Sequence, residues 1–510
     1  MRSLPRPGLA RPVLARPVLA RPVLALLLTA VVLAPLGCSK PKGGAISVTV
    51  IGDTPKLVDP AVGPLPNPDA ALLGSLAQGL VQFDARGQID AGLAERWTVT
   101  DDGLSYIFRL RSGTWPSGRK IDAREVARIL NRERRQASRN AIKDTIGAIS
   151  EIVAMTDRVI EIRLVAPRPN LLQLLAQPEF AILRIDPDST GEGSGPFIRR
   201  PGKPEEGLRL SRTLPGADGE QDVREEVVLT GLPAPSAVAR FRSGQAQMVL
   251  GGSFSDLPVV RVGGVARGTL RFDPVVGLFA LVPARQGGPL ADKALRSLIS
   301  RAIDRDALVA AFDIEGLTAR ATLLQPGLDG IGNPLAPGWM AQPAAQRRAA
   351  LITEANRLLG DRKIVLTVSF PAGPGSTLLF NRLAADLAPL GIGLEAAARG
   401  MPVDLTLIDE VAPSTSPAWF VRRLHCGVVA LCDAEVDTIA DAARETQSPQ
   451  QRAQFLSLAA QLIDRDVLII PLTAPIRWSL VSPDLPGFAE NRFARHTLSD
   501  LAIKPAREGN

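Results

Sequence analysis

Residues 93–126 read LAERWTVTDDGLSYIFRLRSGTWPSGRKIDAREV, and this stretch decides the fold. Trp97 and Val99, then Leu104, Tyr106, Phe108 and Leu110, alternate with other residues, the period of half-buried strands. Asp101-Asp102-Gly103 supplies the turn between them, because glycine accepts positive φ and aspartate bonds its own backbone. Pro116-Ser117-Gly118 makes a second turn. A third strand follows, then a helix from Ala123 with Asp122 as N-cap and Glu125 in its first turn. The spacing predicts strand, turn, strand, turn, strand and helix, with no catalytic group among them.

The rest of the chain sets the scale. Its 510 residues exceed what one ordinary core needs, so two or more lobes are expected. Hydrophobic content of 45% beside 22% charged residues marks a folded chain. A sequence pI near 9.7 suggests a polyanion partner, but the charge is unevenly placed. Residues 1–37 carry five arginines (Arg2, Arg6, Arg11, Arg16, Arg21) and no acid. Without them 54 basic residues face 52 acidic ones, and the formal charge falls from +7 to +2. A nearly neutral body argues against nucleic acid as a partner.

The leader repeats Ala-Arg-Pro-Val-Leu over residues 10–24 and runs uncharged from 22 to 37, a basic segment followed by an apolar one. That order predicts a secretory signal over 1–37. A spanning anchor is the weaker reading, since the uncharged run falls short of the roughly 20 residues needed and Pro22 and Pro35 interrupt it. Gly37-Cys38 resembles a lipobox, so Cys38 is expected to be lipidated, residues 38–45 to form a tether, and the chain to sit at a membrane surface. Pro35-Leu36 depart from the usual pattern there. In an exported protein Cys426 and Cys432 are expected to close a small disulfide loop. A metal site is the rival, because His425 abuts one cysteine and Asp433 the other.

Enzyme motifs are weak. Ser117-Gly118-Arg119-Lys120 fits Ser-x-x-Lys in form, but it lies in a glycine turn and lacks a Lys-Thr-Gly partner. Glu192-Gly193-Ser194-Gly195-Pro196-Phe197 lacks the Lys-Ser/Thr of a phosphate loop. Two histidines in the whole chain leave little for a histidine-based triad. No catalytic residue, metal or cofactor is expected. Asp304 and Asp306 read as helix caps or surface ion pairs.

Further elements follow along the chain. Ile46–Ile51 reads as a strand, 70–80 and 289–309 as helical, and 170–176 as a short helix. Strand 364–370, a helix over 377–388 and strand 393–395 form a βαβ-like unit. A helix over 450–464 leads to an apolar strand at 467–472.

The order of several of these residues is similar to the signature of the family 5 solute-binding proteins of ABC importers, which include dipeptide, oligopeptide and nickel receptors. The matching residues are Gly92-Leu93-Ala94-Glu95, Trp97, Asp102-Gly103-Leu104, Phe108, Leu110-Arg111, Gly118, Ala123 and Val126. Leu57-Val58-Asp59-Pro60, Ala166-Pro167-x-Pro169, the glycine cluster at 192–197, Ser243-Gly244 (with Gln247 where an Asp is usual), Ala302-Ile303-Asp304-Arg305 and Leu390-Gly391-Ile392 extend the resemblance over about 45–503. It implies an α/β fold of the type II periplasmic-binding-protein kind, two lobes joined by crossing strands with an extra subdomain. One lobe would hold 46–75, 193–262 and 475–505, the subdomain 76–192, and the other lobe 263–474. It also implies a monomeric receptor that binds a small or peptide solute and hands it to ABC permease subunits. A sensor or envelope scaffold retaining the fold is the alternative.

In that family a strand leads to a tryptophan, then to a loop whose Asp pairs with the peptide ammonium, then to an aromatic. Residues 403–421 occupy the same place. Counted from Asp404, Glu410 stands at the tryptophan, Pro413 at the ammonium-binding Asp, and Ser416-Pro417 at Asp-Pro. The peptide-amine contact is therefore not carried over. Asp409 and Glu410 are the candidate replacements, with Trp419 and Phe420 as candidate aromatic contacts, and a solute with a positive group or an extended polar backbone is expected.

Overall fold

The computed structural model describes residues 44–185, 191–214, 222–398 and 400–502. The expected signal, Cys38 and most of the tether lie outside the described residues, as do 503–505. Mixed sheets and helices follow one another along the chain.

The opening stretch forms one edge of a four-stranded antiparallel sheet, ordered Ala94–Val99, Ser105–Leu110, Val159–Leu164 and Ile149–Thr156. Tyr106, Phe108 and Leu110 are buried, as the alternation requires. Val99 is exposed instead, because its strand is the sheet's edge and shifts register between Ala94 and Arg96. The expected third strand is reduced to a single bridge between Thr114 and Lys120. The chain turns at once into helix Ala123–Glu133, where Asp122 accepts from the Arg124 N–H at 2.7 Å. Trp115 pins that turn: it is 1% exposed and donates from Nε1 to Glu125 Oε2 at 3.0 Å.

Two larger sheets carry the remainder. A seven-stranded sheet runs Ile198–Arg200, Leu208–Leu214, Val223–Leu232, Ile46–Ile51, Met248–Ser253, Arg477–Val481 and Leu270–Phe272. A five-stranded sheet runs Ile392–Ala396, Ile364–Ser369, Leu405–Val411, Gly277–Pro283 and Ile470–Thr473. Within it Ile364–Ser369 and Ile392–Ala396 are parallel, with helix Pro374–Leu387 between them in sequence, the expected βαβ unit. The apolar strand opens at Ile470 rather than 467, since Val467 has φ +47° and turns the chain there. Likewise the 289–309 stretch is two helices, Lys293–Ala302 and Arg305–Phe312, because Asp304 caps the second through the Ala307 N–H.

Gly277–Pro283 is buried along its whole length. Phe279 and Leu281 enter one core with Phe254, Leu298, Leu366 and Trp478. Leu278, Ala280 and Val282 enter another with Ile408, Phe420, Leu456 and Ile463. Alternate side chains of one strand thus join two cores, as the period of two demands.

Helix Pro449–Arg465 supplies a titratable group to this second region. Asp464 accepts from the Leu323 N–H at 2.8 Å, and burial pushes its carboxyl from 3.8 to about 7. Between those values the folded chain keeps a proton that the unfolded chain has released, so stability falls as pH rises toward 7 and then levels off. Asp464→Asn keeps the acceptor and removes the charge. It is expected to stabilise the chain at pH 8 by up to about 4 kcal/mol in urea unfolding, with no gain below pH 4. An unchanged midpoint at pH 8 contradicts this reading.

Candidate functional site

The seven- and five-stranded sheets exchange strands twice. Leu270–Phe272 leads through 273–276 into Gly277–Pro283, and Ile470–Thr473 leads through 474–476 into Arg477–Val481. The two crossings are tied together where the Asp273 N–H donates to the Arg477 carbonyl at 3.0 Å. Beside them lies a cavity of about 520 Å³, lined by residues of both sheets and of the 141–179 stretch. Its size falls in the range of small-molecule sites.

Strand Leu405–Val411 carries two of the sequence candidates on opposite faces, and of them Glu410 lines the cavity whereas Asp409 does not. Asp409 is turned to the crossing and is 15% exposed. Arg477 grips it twice, Nη1 to Oδ1 at 2.8 Å and Nη2 to the Asp409 carbonyl at 2.9 Å. Burial pushes the Asp409 carboxyl up, and Arg477 opposes that rise. Glu410 lines the cavity, 44% exposed, and accepts from Arg423. Trp419 also lines the cavity, although it is 8% exposed and packs edge-to-face on Phe420 with ring centroids 5.0 Å apart. Phe420 is fully buried among Leu278 and Ile408 and does not line the cavity.

The facing wall was not singled out from the sequence. Arg495 bonds Glu179 Oε1 at 2.8 Å and Gln177 Oε1 at 3.1 Å. Glu179 Oε2 is buried and has no hydrogen-bond partner among the described residues. Gln177 in turn donates from Nε2 to the Pro413 carbonyl at 2.8 Å, joining the two walls. His496 contacts Asp273 at 3.1 Å, and Asp273 also accepts from the Asn491 N–H at 2.9 Å. Trp478 lies on the floor, with its indole N–H on the Ser253 carbonyl at 2.8 Å. A Cβ on Gly252 would fall 2.1 Å from that ring, so only glycine admits it. Arg477 and Trp478 carried a weak signal, a cation opening a largely apolar strand. Glu179 and Arg495 carried none.

The cavity therefore presents ions of both signs beside aromatic surface, with no nucleophile hydrogen-bonded to a histidine among the described residues. Ser117 bonds Glu192 at 2.9 Å, outside the cavity. Cys426 and Cys432 form the expected disulfide, and His425 bonds the Gly427 N–H and stands 3.5 Å from Asp437. No group of three or more metal-ligating side chains occurs among the described residues.

Two sheets exchanging two crossing strands beside a mixed-charge cleft define a type II binding-protein fold, and comparison with known proteins agrees. The model of the bacterial extracellular solute-binding proteins, family 5 (middle), matches residues 88–400. The chain belongs to this family, and is thus a binding protein rather than an enzyme. It is 24% identical over 486 residues to the probable di/tripeptide-binding protein 5 of Pseudomonas aeruginosa, covering 84% of this chain and 90% of that one. Among solved structures it resembles Haemophilus influenzae OppA in complex with RPPGFSPFR, with a TM-score of 0.75 at 16% identity, over 90% of this chain and 98% of that one. The murein tripeptide binding protein MppA of Escherichia coli gives a TM-score of 0.73 at 17% identity, over 90% and 97%.

Removing either member of the Asp409–Arg477 pair leaves a buried charge without its partner, which costs about 3 kcal/mol or more. Asp409→Ala and Arg477→Ala are each expected to lower urea stability by that order. The double variant should lose much less than the sum of the two. Additive losses would show that the pair does not act as a unit.

Proposed function

We propose that this protein is the exported receptor of an ABC importer and takes a small zwitterionic solute of the di- or tripeptide kind into the cleft at the strand crossings. The observation that carries this reading is the pairing of opposite charges around one cavity, Glu410 with Arg423 on one side and Glu179 with Arg495 on the other. A peptide ammonium competes with Arg423 for Glu410, and a peptide carboxylate competes with Glu179 for Arg495. Such exchanges replace one charge-assisted bond by another, so the charged ends need not be left bare. Asp409 acts behind Glu410 by fixing Arg477, Trp419 covers the apolar part of the solute, and Phe420 backs Trp419.

The lobes are 46–75 with 193–272 and 477–505 on one side, and 277–473 on the other, with 76–192 as the added subdomain; the boundary expected at 262 moves to 273–276 because Leu270–Phe272 pairs with Arg477–Val481. Closing one lobe on the other over a solute is a hinge motion at 273–276 and 474–476, biased by contacts that only the closed form makes. Residues 1–37 act as the export signal to the periplasm and Cys38 carries the lipid. The monomer then stays at the membrane surface, within reach of the permease subunits. The peptide-binding names of the relatives support the solute class.

Calorimetry of the mature chain against a di- and tripeptide library is expected to yield a binder. Glu410→Gln should weaken it by about tenfold or more, the worth of one charge-assisted bond. If Glu410→Gln and Asp409→Asn both leave the affinity of every binder unchanged, the solute lies elsewhere.

A further inference from the structure

A second cavity, of about 140 Å³, shares no lining residue with the cleft. It lies where 144–170 meets helices Pro417–Arg422, Ala434–Glu445 and Pro449–Arg465. A ladder of hydrogen bonds runs along one wall: Asn170 donates to Asp329 at 2.5 Å and to Thr415 at 3.1 Å, and Gln173 accepts from the Thr415 N–H at 2.9 Å. Four arginines surround it: Arg168, Arg422, Arg444 and Arg452. Arg422 and Arg444 share Asp441, at 3.9 and 3.3 Å. Arg168 and Arg452 have no carboxylate within ion-pair distance among the described residues. Arg168 reaches only carbonyls, of Pro167 at 2.8 Å and Arg444 at 2.5 Å. Arg452 donates to the Thr446 carbonyl at 3.3 Å, and its Nε is buried without a partner.

The acids on the wall do not discharge this cluster. Asp329 is engaged by Thr415 and Asn170, and Asp144 makes no ion pair among the described residues. Arg452 also stands in the first turn of a 17-residue helix, where the backbone adds positive potential. Burial and mutual repulsion push the Arg168 guanidinium down to about 10, the mark of a cation wanting a counter-ion. We propose that this cavity binds a small oxyanion, a phosphate or a carboxylate, held between Arg168 and Arg452. Bound there, the anion bridges 144–170 to the helices at 417–465 and reinforces the Arg168–Arg444 contact.

The test is thermal unfolding of the mature chain at constant ionic strength, titrated with sodium phosphate and, separately, sodium acetate, against sodium chloride. A saturable rise in Tm with either oxyanion is expected. Arg168→Met and Arg452→Met should each weaken the apparent affinity at least tenfold, whereas Arg452→Lys should retain part of it. Should Arg168→Met not fold, Arg452→Met and Arg452→Lys decide the matter. A Tm that follows the chloride control, or a saturable rise untouched by the Arg452 variants, overturns the proposal. Neither result depends on the identity of the cleft's solute.

Discussion

The double crossing of the chain between the two large sheets is the constraint on which the other features rest. Two segments of four and three residues are the links between strands of the seven-stranded and five-stranded sheets, and they are hydrogen-bonded to each other through Asp273 and Arg477. Arg477 then reaches from the first residue of its strand to Asp409 on the neighbouring sheet. A buried ion pair of this kind adds little net stability against an apolar substitute, but it tolerates no half-made state. It ties strand Leu405–Val411 to the crossing, beside the cavity that Glu410 lines.

From that constraint the charges of the cleft follow. Because side chains alternate along the strand, a carboxylate that braces the crossing and one that lines the cavity can be neighbours in sequence. Asp409 is held by Arg477 at the crossing, while Glu410 pairs with Arg423 at the cavity wall. The facing pair, Glu179 with Arg495, comes from a short turn after Pro178 and from the chain's last described segment, 316 residues apart. Gln177 holds that wall to the Pro413 carbonyl at 2.8 Å.

Legibility in the sequence followed locality. Tyr106, Phe108 and Leu110 announced their strand because one face is buried and the other wet, and Asp122 announced a helix start because a cap is a contact two residues long, whereas Asp304 reads as either cap or surface ion pair and the break it makes in 289–309 was missed. Gly277–Pro283 was not read as a strand, since burial on both faces erases the alternation. Val99 was read as half-buried because nothing local tells an edge strand from an inner one. The site divided in the same way. Asp409, Glu410 and Trp419 stand within one stretch of chain, whereas Arg477, Arg495 and Glu179 join them only through long-range packing.

The closure we propose brings the two sheets together about the crossings at 273–276 and 474–476 when solute binds. Small-angle X-ray scattering of the mature chain, freed of bound solute by partial unfolding and then saturated with a peptide binder, tests it most directly. A smaller radius of gyration and a shorter maximum dimension are expected with solute than without. Identical scattering from the two states, with occupancy confirmed by native mass spectrometry, would contradict it.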